Sequence, residues 1–163
     1  VLESTLAAAQ SQEDAMADIF GPVFCDTPEV RVWTDGSAQD TRAGSGVWWG
    51  LRARANAAMR ITGPQTSDRA EVCGVAFALA AADPYRNLHI FTDSSYAAGM
   101  LGPWAQKHAA TGWRSCANDD VLKNIVRMVR ARHAPTLITW VKSHSGIHGN
   151  EQADKWARKG AKK

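Results

Sequence analysis

Cysteine is scarce in this 163-residue chain: Cys25, Cys73 and Cys116 stand far apart. An odd, sparse set offers neither a disulfide framework nor zinc-ligand spacing, and it suits a reducing compartment. Long apolar runs are missing as well. None approaches the roughly 18 residues that cross a bilayer, and the opening Val1–Leu6 lacks both a basic start and a continuous apolar stretch, so no secretory signal is expected. These absences exclude a membrane protein and point to an intracellular one, with nucleus, cytoplasm and mitochondrion equally open. With 45% hydrophobic and 21% charged residues, the composition also excludes wholesale disorder. The length suits about one domain.

Basic charge is absent from one end. Residues 1–30 carry Glu3, Glu13, Asp14, Asp18, Asp26 and Glu29 and no Lys or Arg, so all 19 basic groups face ten acids in the remainder. Twelve of the 19 are Arg, the side chain that grips phosphate bidentately. A basic body of this kind suits a polyanionic partner. Residues 1–28, with a weak helical pattern broken at Gly21-Pro22, read as an acidic leader or the remnant of a linker. Residues 29–163 read as the functional domain.

Within that domain the pattern sharpens. Val30–Thr34 alternates and is β-branched or aromatic, so it predicts a strand ending at Asp35-Gly36-Ser37. Gly46–Leu51 and Ala57–Thr62 predict two more, joined by short polar links that suit antiparallel neighbours. Val72, Val75, Ala76, Leu79 and Ala80 fall on one face of a helix, with Thr66 or Ser67 placed to cap it. Leu88–Thr92 is a fourth strand, followed by a short helix around Tyr96–Met100. A Trp-bearing segment begins at Gly102-Pro103. Leu122, Ile125, Val126 and Val129 mark a helix with Asn118 near its cap, Leu137–Val141 a fifth strand, and a last helix begins near Asn150. The order β-β-β-α-β-α-α-β-α implies an α/β fold whose five-stranded mixed sheet joins an antiparallel meander to parallel strands, flanked by helices.

Two strands end in near-copies, Thr34-Asp35-Gly36-Ser37 and Thr92-Asp93-Ser94-Ser95. As parallel neighbours they would set Asp35 beside Asp93, and two carboxylates about 4 Å apart repel by roughly 4 kcal/mol at an effective dielectric of 20. A proton or a cation must offset that. Taken singly, each Asp is equally well explained as a turn former. Glu71 and Asp154, each near a helix start, are equally well explained by the helix dipole.

Together these pieces resemble a known signature. Thr34-Asp35-Gly36-Ser37, Arg69-Ala70-Glu71, Thr92-Asp93-Ser94 and the run from His144 to Asp154 occur in the order of the type 1 ribonuclease H family. The resemblance covers about residues 29–163, and the stretch from Trp140 to Asp154 is its most specific part. It implies a ribonuclease H-like fold and an endonuclease that hydrolyses the RNA strand of RNA/DNA hybrids, leaving 5′-phosphate and 3′-hydroxyl ends. It also implies two Mg²⁺ ions, replaceable by Mn²⁺, held by Asp35, Glu71, Asp93 and Asp154. In that scheme Asp35 bridges both ions, Asp93 serves the nucleophile side, and Glu71 and Asp154 serve the leaving-group side. Hard oxygen ligands suit such ions, and a pair about 4 Å apart suits in-line phosphoryl displacement. His144 matches the family's mobile histidine, which assists proton transfer or product release.

The same resemblance assigns substrate contacts to Thr66, Ser67, Ser95, Trp104, Trp113, Arg114 and Asn118. Four departures accompany it. Ser67 stands where the family commonly has Asn, and Ser95 where it often has Gln or Met. His108-Ala109-Ala110-Thr111 replaces a Trp followed by lysines, and Pro64 replaces a phosphate-pocket cation. Trp33, Trp140 and Trp156 are expected in the core, Asn150 as a helix cap, and Glu151 as a second-rank neighbour of the metals. The expected partner is an RNA/DNA hybrid bound by a monomer, with a reverse transcriptase or other neighbouring domain if the chain is a polyprotein fragment. The alternative is a catalytically silent nucleic-acid-binding module on the same fold, which would gain nothing from four acids facing phosphate. An exonuclease or transposase of this fold would lack the His-to-Asp closing motif.

Overall fold

The computed structural model describes residues 28–114 and 116–163. The acidic segment before Pro28 lies outside the described residues. Five strands, β1 (Val30–Gln39), β2 (Arg42–Trp48), β3 (Ala57–Arg60), β4 (Leu88–Thr92) and β5 (Thr136–Trp140), form one sheet in the order β3-β2-β1-β4-β5. β1, β2 and β3 pair antiparallel, while β4 and β5 are added parallel to β1. Among the described residues the helices are α1 (Ser67–Ala81), α2 (Ser95–Leu101), α3 (Ala105–Ala110), α4 (Asp119–Ala131) and α5 (His148–Ala161). This is the expected mixed sheet with flanking helices. None of these helices is long and apolar enough to cross a membrane.

Strand alternation divides the side chains between two layers. Val32 and Ile90 join Val72, Val75 and Leu79 of α1 and Leu122 and Ile125 of α4 in one buried cluster. On the opposite face Trp33 stacks on Phe91 (5.1 Å between ring centres) and leans on Trp48 (5.5 Å). There α5 packs across β1, β2 and β3. Gly149 makes this approach possible, because a Cβ at that position would lie 2.2 Å from the Trp33 ring.

β1 departs from its expected end. It runs on through Asp35 to Gln39 because β2 supplies a hydrogen-bonding partner along the whole stretch, with Asp35 opposite Gly46 and Gln39 opposite Arg42. The chain reverses at Asp40-Thr41, where Asp40 adopts a positive φ of 52°, a conformation Asp tolerates better than most residues. Asp35 is therefore a mid-strand residue and not a turn former. Trp140 also departs from expectation. It is 52% exposed, since β5 is an edge strand and Trp140 is its last residue.

Candidate active site

Three carboxylates converge where β1 and β4 run side by side. Thr34 pairs with Thr92, so the next residues, Asp35 and Asp93, emerge together. α1 brings the third. Gly36 lets it come close, for a Cβ there would lie 2.5 Å from the Glu71 backbone nitrogen. Ser45 Oγ of β2 ties the same turn down by donating to the Ala70 carbonyl at 2.6 Å. One carboxylate oxygen from each of Asp35, Glu71 and Asp93 then lies within 4.8 Å of the others.

The residues flanking Asp93 are occupied with structure. Thr92 Oγ1 accepts from the Ser94 N–H at 3.1 Å, and Ser94 Oγ caps α2 by accepting from the Ala97 N–H at 3.0 Å. Asp93 itself is gripped from outside: Trp140 Nε1 donates to its carbonyl at 3.0 Å, and Asn150 Nδ2 donates to its Oδ2 at 2.9 Å. Asn150 was expected to cap α5. It is instead the third residue of that helix, 4% exposed, because α5 starts two residues earlier at His148.

Electrostatics leave the cluster short of positive charge. Burial, then the repulsion of Asp93, lifts the Asp35 carboxyl to about 8, with Asp154 adding to the push. Burial, then the charges of Asp35 and Asp93, lifts Glu71 to about 10. Protein hydrogen bonds relieve little of this. Asp35 Oδ1 accepts from the Gly36 N–H at 2.9 Å, while Glu71 Oε2 is buried without a partner. An oxygen-only donor set with an orphaned carboxylate oxygen fits a hard divalent cation.

Asp154 stands apart from this triad. It sits one turn beyond Asn150 on α5, and its Oδ1 accepts from Arg158 Nε at 3.0 Å. His144 lies on the exposed loop before α5 with a φ of 51°, and Glu151 is exposed on the first turn of that helix.

The expected substrate contacts form a second group. Thr66 caps α1, its Oγ1 accepting from the Arg69 N–H at 3.2 Å, and Ser67 and Ser95 are exposed at helix starts. Asn118 precedes α4 but does not cap it with its side chain. Its left-handed backbone (φ 62°) turns the amide away from the helix, and Nδ2 donates to the Tyr96 hydroxyl at 3.2 Å. Trp104 is half exposed, its ring lying against Gly99, and Arg114 is exposed. Trp113 is a correction. It is 5% exposed within the main core cluster, stacked on His108 at 5.8 Å, so its ring anchors the segment and does not present a surface.

Arg69, part of the Arg69-Ala70-Glu71 signature but given no role by it, acquires one in the fold. Its buried guanidinium donates Nε to the Thr62 carbonyl at 2.7 Å and clasps Asp120 through Nη1 (2.8 Å) and Nη2 (2.6 Å), locking the loop before α1 to the start of α4. That clasp holds the Asp120 carboxyl down at about 2. Beside it opens a groove of about 680 Å³ lined by Arg60, Arg127 and Lys163. Since Arg69 already occupies Asp120, those three cations give this corner a net positive charge.

Comparison with known proteins agrees with this geometry. The family model described as RNase H matches residues 27–162. The chain belongs to the ribonuclease H family. Human ribonuclease H1 is 35% identical over 144 residues, covering 82% of this chain and 50% of the human protein. The mouse protein of the same name is equally similar over 143 residues. The ribonuclease H of Chromobacterium violaceum is 31% identical over 138 residues, covering 80% of this chain and 93% of its own. The ribonuclease H-family chain thus spans about half the length of its mammalian relatives and nearly all of this bacterial one.

Proposed function

We propose that this chain is a ribonuclease H that hydrolyses the RNA strand of RNA/DNA hybrids, leaving 5′-phosphate and 3′-hydroxyl ends. Residues 29–163 would form the ribonuclease H domain. The observation that carries the reading is the convergence of Asp35, Glu71 and Asp93 on one small volume, two of them buried and one with an orphaned oxygen. Acids arranged this way destabilise one another unless positive charge arrives. The relatives named ribonuclease H support the substrate class.

In this reading two Mg²⁺ or Mn²⁺ ions are held by Asp35, Glu71 and Asp93, with Asp154 joining from α5. Such ions supply Lewis-acid polarisation of the scissile phosphate and an activated water. The chain's own residues do the rest. Asp35, fixed mid-strand, sets the centre of the site, and Glu71 and Asp93 set its two sides. His144 holds an imidazole on an exposed loop near the start of α5, where it can carry a proton to or from solvent. Thr66, Ser67, Asn118 and Ser95 line helix starts, whose N–H groups favour phosphate oxygens. Trp104 and Arg114 offer an aromatic face and a cation to the DNA strand.

The test is a parallel assay of end-labelled hybrid, double-stranded RNA, double-stranded DNA and single-stranded RNA. Only the RNA of the hybrid should be cut, in Mg²⁺ or Mn²⁺ and not in EDTA, and hybrid binding should weaken steeply with salt. Hybrid bound firmly but left intact in both ions would establish the silent binding module instead.

A further inference from the structure

We infer that Asn150 is a positioning residue, whose buried amide fixes the Asp93 carboxylate for divalent-cation binding. The inference rests on the metal-dependent reading above and goes beyond it, because an amide nitrogen that donates to a carboxylate is not itself a cation ligand. Three observations carry it. Asn150 Nδ2 lies 2.9 Å from Asp93 Oδ2, across a sequence gap of 57 residues. Its side chain is pressed home by α5, since the preceding Gly149 rests directly on Trp33, two residues before Asp35. And the amide gains nothing else from its burial, for its Oδ1 is buried without a partner.

The choice of side chain fits the task. Asp93 extends past the end of β4, so the ladder that fixes Asp35 within β1 does not reach it. Its backbone is held through the Trp140 indole, and its carboxylate through Asn150. A Lys or Arg at position 150 would hold the carboxylate more strongly but would cancel the negative charge that attracts a cation. A neutral donor orients without neutralising. The amide's orientation follows from the same pair, because the flipped form would set carbonyl oxygen against carboxylate oxygen. Groups that orient a metal ligand in this way typically change metal affinity by about 10–100-fold when removed.

The experiment compares the parent chain with Asn150→Ala, Asn150→Asp and Asn150→Ser. Mg²⁺ and Mn²⁺ binding is measured by calorimetry on the free protein, without nucleic acid, and thermal unfolding is measured in EDTA. Asn150→Ala should weaken ion binding by about 10-fold or more. Its Tm in EDTA should hold or rise, because removing the amide also removes the orphaned buried oxygen. Asn150→Asp, which sets a second carboxylate against Asp93, should unfold at lower temperature in EDTA and regain stability when Mn²⁺ is added. Asn150→Ser, a shorter neutral donor, should fall between parent and Ala. In cleavage assays the Ala variant should need more metal for half-maximal rate, with KM for hybrid unchanged. If parent and Ala variant bind ions equally, or if lost affinity follows a lowered Tm in EDTA across the series, the positioning role is overturned. If the parent itself binds no divalent ion, the metal-dependent reading fails and takes this inference with it.

Discussion

The acidic end of the sheet and the candidate substrate contacts along α1 to α4 are built on opposite plans. At the first, buried acids are held in place by backbone: β1 is paired on both sides at Thr34, and α1 is pressed against Gly36. At the second, most candidate contacts are exposed side chains, Ser67, Ser95, Trp104 and Arg114 among them, and only Trp113 is buried. In the proposed function the contrast separates chemistry from grip. There, rigid mutual repulsion would favour a small dense cation, and an exposed polar surface would suit a long polyanion whose sequence varies.

The strongest way to break this division is Asp93→Asn. Its loss should reduce turnover by at least about 10³-fold, as expected for a group acting as part of a catalytic unit, while hybrid affinity in a gel-shift assay holds or improves. Equal loss of binding and turnover would put grip and chemistry in one place.

Next in size is the response of the metal-free protein to pH. Asp35 and Glu71 keep their protons in the fold up to about 8 and about 10, whereas an unfolded chain releases them near 4. Between those values the folded state binds more protons than the unfolded one, so stability falls as pH rises. Unfolding in EDTA should therefore move to lower temperature from about pH 5 to pH 8, and Mg²⁺ should flatten the curve by replacing the protons. Asp35→Asn should flatten it without metal. A curve that rises over this range would contradict the buried-acid account.

Two tryptophans test the second region from within. Trp113→Ala should cost about 3–5 kcal/mol of stability, as for a core aromatic, measured by denaturant unfolding. Trp104→Ala should leave unfolding nearly unchanged and weaken hybrid binding by about 1–3 kcal/mol. Between them in size is Arg69→Ala, expected to cost about 2–3 kcal/mol through its charged hydrogen bonds. Arg69→Lys should rescue little of this, since a lysine cannot reproduce the two-pronged clasp on Asp120.

The same division explains what the sequence made legible. The strands alternate cleanly, so β4 was placed to the residue, and the repeated Thr-Asp dipeptides located two acids that pairing brings together. Trp113 and Trp140 were exchanged in role because side-chain chemistry does not reveal edge position or the path of a loop. A Trp on a strand is buried only if a layer covers it, and β5 lies at the sheet edge. A Trp in a polar stretch is exposed only if the chain does not fold inward, and at Trp113 it does. Asn150 differs from expectation for a smaller reason. A shift of two residues in the start of α5 turns a cap into an interior donor, and helix ends are the least legible feature of a pattern. Arg69 lay in view within Arg69-Ala70-Glu71, but its partner Asp120 is 51 residues away, where no local pattern reaches.

Asp154 sits on the boundary between the two plans, and Arg158 provides the smallest test. The carboxylate is close enough to raise Asp35, yet it is partly exposed and paired with an arginine one turn along α5. A cation bound there competes with that partner, and full exchange would break the pair. A solvent-exposed pair four residues apart on a helix is worth only about 0.3–0.5 kcal/mol, so the exchange costs little. Arg158→Ala should therefore tighten Mg²⁺ binding by about twofold or less in calorimetry, and the gain should shrink as salt screens the pair. Asp154→Asn should weaken binding by more than Arg158→Ala strengthens it, because it removes a ligand and not merely a competitor. If neither substitution moves the affinity, Asp154 belongs to the surface of α5 and the cation site consists of Asp35, Glu71 and Asp93.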